Sequence, residues 1–148
     1  MKVTWITAVL AALFFATTGW ASESVQEQRH ELMESAKDAA KPIGGMLKGE
    51  LEFDAATAME SFQVWSDVAA LAGDLFPEGS ETGYDTEAKE TIWTDRDGFN
   101  QQLADFTAAV DGAIEASPQS LDELKMATGP VFKACKSCHE GYRVEDEN

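Results

Sequence analysis

Cys135-Lys136-Ser137-Cys138-His139 sets two thiols three residues apart, with an imidazole directly after the second. This is the spacing at which a c-type haem is attached: each sulfur bonds a vinyl group and the histidine binds the iron. On a helix, positions i, i+3 and i+4 share one face, so all three side chains can meet one flat porphyrin. A Cys-x-x-Cys pair also serves as half a zinc site, a thioredoxin-like redox pair or a simple disulfide. Structural zinc usually needs four protein ligands, and outside the motif there is one further imidazole, His30, and no second cysteine pair. The redox pair normally follows a strand in a βαβ unit, and no strand-like segment precedes Cys135. Apart from an iron centre, no nucleophile, base and orienting group stand in a recognisable arrangement, so turnover as an enzyme is not expected.

The elements that must position the motif are helical. Apolar residues recur at steps of three and four, and nothing alternates at the strand period for long. Val25, Leu32, Met33, Ala36, Ala40, Ile43 and Leu47 form one stripe, predicting a first helix over roughly Ser24 to Lys48. Pro42 inside it predicts a kink, and Gly44-Gly45 weakens the following turn. Asp54 reads as the N-cap of a second helix carrying Ala58, Met59, Phe62, Trp65, Ala69, Ala72 and Phe76, which ends before Pro77. From Pro77 to Thr91 the chain is polar and turn-rich, longer than the usual bundle loop of about two to eight residues, and reads as a functional segment or a short helical turn.

Thr94 or Asp95 caps a third helix with Phe99, Leu103, Phe106, Val110 and Ile114 on its face, stopping near Ser117-Pro118. Ser120 with Glu123 forms a capping box for a fourth, which carries Leu121, Leu124, Thr128, Val131, Phe132, Cys135, Cys138, His139 and Tyr142. Gly129-Pro130 predicts a kink or short break there. The fold class is all-α, an antiparallel up-down-up-down four-helix bundle. In that topology the start of the first helix and the end of the fourth share one end. Met33 lies about eight residues into the first and His139 about four from the end of the last, so at about 1.5 Å per residue their depths differ by about 6 Å. One can then face each side of the same iron. The long connection and Trp93 fall at that end too.

Met1-Lys2, an apolar run from Val3 to Ala16 and Gly19-Trp20-Ala21 read as a secretory signal peptide over residues 1–21. The run is shorter than the roughly 20 residues that span a bilayer, so no membrane insertion is expected after cleavage. Residues 22–148 form one domain, and the expected address is the periplasm, where free thiols tend to pair. Both cysteines of the chain are in the motif, which fits their being consumed as thioethers. The formal charge of −16 disfavours nucleic acid and anionic membranes as partners. Lys125, Lys133, Lys136 and Arg143 gather in the last helical stretch; they offset the haem propionates, ring the haem edge, or are ordinary solvated charges.

The chain resembles the class II cytochromes c, typified by cytochrome c', over essentially all of the mature sequence. Arg29-His30-Glu31-Leu32-Met33 looks like that family's Arg-x-x-x-apolar opening, and Ile92-Trp93 followed by Phe99 looks like its entry to the third helix. Cys135-Lys136-Ser137-Cys138-His139-Glu140-Gly141-Tyr142-Arg143 looks like its C-terminal signature. Many soluble cytochromes c carry the motif near the N-terminus instead. Pro42 and Pro130 depart from the family pattern.

The resemblance implies one covalent haem c between the helices, with Cys135 and Cys138 as anchors and His139 as the proximal iron ligand. It implies Arg29 near a propionate and Arg143 beside the proximal histidine. Met33 falls at the distal position, where two alternatives stay open. As a sixth ligand its thioether closes the iron and suits an electron carrier; as an apolar neighbour it leaves an open iron for NO or CO. The implied partners are redox proteins or these small gases, and a homodimer through the first two helices, whose small residues permit close packing.

Overall fold

Four side-chain caps set where the long helices begin. In the computed structural model, which describes residues 24–144, the Ser24 hydroxyl accepts the Glu27 N–H at 3.2 Å and starts α1 (Val25–Leu47). The predicted signal peptide and the tail Glu145–Asn148 lie outside the described residues. The chain leaves α1 through Gly49, whose φ of +74° suits a residue without a Cβ. Asp54 Oδ1 accepts the Thr57 N–H at 2.6 Å and opens α2 (Ala55–Ala72), which tightens into a 3₁₀ turn over Gly73–Leu75.

A single turn, α3 (Thr91–Thr94), precedes α4 (Arg96–Ala116). Of the two predicted caps for α4 it is Asp95 that serves, accepting the Gly98 N–H at 3.3 Å. Ser117 turns the chain out of α4 in the left-handed region at φ 41°, with Pro118 buried behind it. The capping box of α5 (Leu121–Tyr142) is present in altered form: Ser120 Oγ accepts the Glu123 N–H at 3.3 Å, while the Glu123 carboxylate reaches back to the Gln119 N–H at 2.7 Å.

The break expected at Gly129-Pro130 is absent, and α5 runs on through both residues. Both are exposed, so the carbonyl one turn back that loses its proline donor can turn to water. α1 likewise continues through Pro42.

Neighbouring helices α1 and α2, α2 and α4, and α4 and α5 pack along much of their lengths, whereas α1 and α5 meet over a short stretch only. The architecture is the expected all-α four-helix bundle; among the described residues there is no strand, only an isolated antiparallel bridge between Ala88 and Arg143. No described helix is long and apolar enough to cross a membrane.

The interior falls into two clusters. The larger joins Ile43, Met46, Ala58, Phe62, Trp65, Val110, Ala113, Leu124 and Val131. Burying each large side chain of this set is worth roughly 1.5–3 kcal/mol, and the Trp65 indole N–H is satisfied by the Ala36 carbonyl at 3.0 Å. The smaller cluster, Phe76, Ile92 and Phe99 with Trp93 and Tyr142 against it, lies at the end where the long connection crosses the bundle.

Candidate functional site

The stripe of α5 that is buried at Leu124, Thr128 and Val131 continues into the thiol motif. Cys135 is half-buried and packs against the larger cluster, Cys138 is half-buried, and His139 is exposed despite sharing that face. Tyr142, one turn on, packs against the smaller cluster. The three motif residues therefore span the interval between the two apolar clusters, where no protein side chain covers them fully.

The two sulfurs are not joined to each other. Burial raises the Cys135 pKa, and burial together with the Cys135 charge pushes Cys138 up to about 11. A catalytic thiol pair relies on a lowered pKa, so this environment runs against redox exchange as the motif's purpose. The His139 pKa is lowered, first by the protein packed around part of its ring and then by Arg143, with Glu87 opposing. Its neutral form, the one that ligates metals, is favoured. Arg143 itself is exposed, with Nε 3.8 Å from Glu87 Oε2.

Across from α5, Arg29 of α1 is 5% exposed. Its guanidinium lies 4.6 Å over the Phe76 ring and 5.7 Å from the Trp93 ring, donating to Ser80 O at 2.7 Å and Thr86 Oγ1 at 3.3 Å. Burial lowers its pKa, with Glu81 opposing. Its Nε is buried without a hydrogen-bond partner, which is costly for a cationic donor. Met33, one turn further along the inward stripe, is 37% exposed and belongs to neither cluster, although Ala36 and Ala40 beside it pack against the core. His30 is exposed and meets the Tyr84 ring edge-on at 6.3 Å between centroids.

The connection from Phe76 to Asp95 holds both helix ends. Toward α1, Ser80 and Thr86 take the Arg29 guanidinium, and Thr82 O takes the Gln26 amide at 2.8 Å. Toward α5, Lys89 N–H donates to Tyr142 O at 2.9 Å and Val144 N–H to Glu87 O at 2.7 Å. The start of α1 and the end of α5 thus dock on one segment, the convergence the bundle topology leads one to expect. Spacing named Cys135, Cys138, His139 and Met33, and the family resemblance named Arg29 and Arg143. Neither named Ser80 or Thr86, and Asp95 was read only as a helix cap; their contacts cross 47 or more residues of sequence.

These residues fit a covalently held haem. The two thiols of the motif and an imidazole whose neutral form is favoured share a face; Met33 and His139 lack cover; α1 and α5 meet over a short stretch only; and a buried guanidinium nitrogen lacks an acceptor. Among the described residues no cluster of three or more His, Cys, Asp or Glu side chains is arranged to hold a metal ion by protein donors alone.

Comparison with known proteins agrees. A family model described as cytochrome c' matches residues 24–143. A cytochrome c' of Rhodopseudomonas palustris is 35% identical over 140 residues, covering 93% of this chain and 95% of the relative. A cytochrome c-556 of the same organism is 30% identical over 142 residues, covering 92% and 93%. A solved cytochrome c' from Rhodopseudomonas palustris superposes with a TM-score of 0.81 at 35% identity, over 84% of this chain and 99% of that one. A nitric oxide complex of a mutant cytochrome c prime from Alcaligenes xylosoxidans superposes with a TM-score of 0.73 at 27% identity, over 82% and 94%.

Proposed function

The chain belongs to the class II cytochrome c family of cytochrome c', with one covalently attached haem c as its cofactor, and from that premise we propose that it is a periplasmic single-electron carrier. Haem c supplies one-electron iron chemistry when bound. Cys135 and Cys138 would anchor it to α5 and His139 would supply a nitrogen to the iron. Met33 would supply a thioether to the iron from α1, and such a ligand would raise the potential and close the iron to gases. Arg29 supplies its free Nε to a propionate, relieving the one buried donor that lacks a partner among the described residues. Arg143 keeps a positive charge beside His139.

The observation that carries the Met33 assignment is its exposure. A large apolar side chain on the inward stripe, one turn from a buried arginine, stands outside both clusters. Replacing Met33 by Ala should convert a low-spin resting spectrum into a high-spin one. An unchanged spectrum would remove Met33 from the iron.

A second reading has its own support: one structural neighbour is a nitric oxide complex. In it Met33 is an apolar lid over an open iron that binds NO or CO, and the same substitution leaves the resting spectrum as it was. The alanines and glycines of α1 and α2 permit a homodimer. A single sedimenting species at monomer mass over the working concentration range would argue against that assembly.

A further inference from the structure

The last turn of an α-helix leaves carbonyls without intrahelical partners, and in α5 a neighbouring segment supplies them. Glu140 O accepts Lys89 Nζ at 2.9 Å, Gly141 O accepts the Thr91 hydroxyl at 3.1 Å, and Tyr142 O accepts the Lys89 N–H at 2.9 Å. The Tyr142 side chain adds one more tie, donating from its hydroxyl to Asp95 Oδ2 at 2.9 Å. The other oxygen of Asp95 caps α4 through the Gly98 N–H. Gly98 leaves the room for this pair, because a Cβ at that position would overlap both the Asp95 carboxylate and the Tyr142 hydroxyl. The Tyr142 ring is held edge-on against Phe99 at 5.5 Å between centroids.

The hydroxyl contact is exposed, so it adds little to stability; an exposed bond exchanges with water at small net gain. What it fixes is geometry. Tyr142 lies three residues beyond His139, on the same face and in the same turn. We propose that the Tyr142–Asp95 pair, with Gly98 leaving it space, is a positioning device for His139: it sets the rotation of the last turn of α5 and so the plane of the imidazole. The proposal rests on His139 being the axial ligand. It makes Tyr142 and Asp95 positioning residues that touch no reacting atom themselves.

The test uses the haem-loaded protein and its Tyr142→Phe variant, which keeps the ring and removes the hydroxyl. Ferric electron paramagnetic resonance reads the axial ligand's orientation in low-spin and high-spin iron alike, and the midpoint potential and melting temperature are measured beside it. The expected result is shifted g-values and a shifted potential at an unchanged melting temperature. Unchanged g-values and potential overturn the proposal, as does a lower melting temperature with wild-type g-values. Should Tyr142→Phe fail to fold, Asp95→Ala is read by g-values and potential alone, because it also removes the α4 cap; Asp95→Asn, whose amide oxygen can keep the cap while its NH2 donates to the Tyr142 hydroxyl oxygen, is expected to restore the wild-type signal. His139→Gly separates the two layers. If it changes the spectrum while Tyr142→Phe does not, the positioning role alone falls; if it leaves the spectrum intact, the axial assignment falls with it.

Discussion

Arg29 shows how one residue serves two partners. Two of its guanidinium nitrogens are spent on Ser80 O and Thr86 Oγ1, and the third is left without an acceptor. Replacing it by Met keeps a stem of similar length over Phe76 and Trp93 but strands the Ser80 carbonyl in a buried setting. The expected cost is about 1–3 kcal/mol, read by urea unfolding of the haem-loaded protein. An unchanged midpoint would mean the carbonyl finds water instead. At this scale the cofactor motif was legible because Cys135, Cys138 and His139 are labelled by type and spacing alone. Asp95, Gly98 and Tyr142 were not legible as a set. Their chemistry is ordinary, and their meeting depends on the end of α5 returning beside the start of α4.

At the scale of elements, helix periodicity placed all four long helices, and capping residues marked the starts of the last three. Ser24, Asp54, Asp95 and Ser120 accept the backbone N–H groups their positions lead one to expect. Ser120→Ala should therefore cost about 1 kcal/mol, measured as a lower denaturation midpoint, and no loss would show that Glu123 alone holds the turn. The Asp54 pKa is lowered by its bonds to Thr57 at the start of α2. A carboxylate with a depressed folded pKa stabilises above its unfolded pKa and loses that contribution as pH falls through the folded value. Asp54→Asn should flatten the acid-side decline of stability and leave the neutral-pH slope alone; an unaltered acid limb would contradict the cap's role. Proline misled the reading of α5, because residue type does not say which side of a helix faces water. The connection from Phe76 to Asp95 was opaque for a different cause. It works mainly through backbone N–H and C=O groups, which every residue carries.

For the whole molecule, the two-cluster interior is the organising fact. A bundle with one continuous core would need nothing between α1 and α5; here the apolar interior is interrupted where the thiols and imidazole stand. The covalent anchor should then be visible in the intact chain. The mass measured after acid denaturation is expected to include one haem, since thioethers survive when iron bonds do not, and a bare polypeptide mass after expression with haem maturation machinery would contradict the attachment. The strongly negative charge, −16 over the full sequence, bears on partner choice more than on fold. It sets long-range repulsion from acidic surfaces, so a redox partner should present a basic face to most of this molecule.

The most direct measurement is the absorption spectrum of the reduced protein before and after carbon monoxide. With His139 and Met33 both on the iron, sharp low-spin α and β bands appear and carbon monoxide leaves them unchanged. A broad high-spin spectrum that sharpens when the gas is added would contradict the electron-carrier account and assign the site to gas binding.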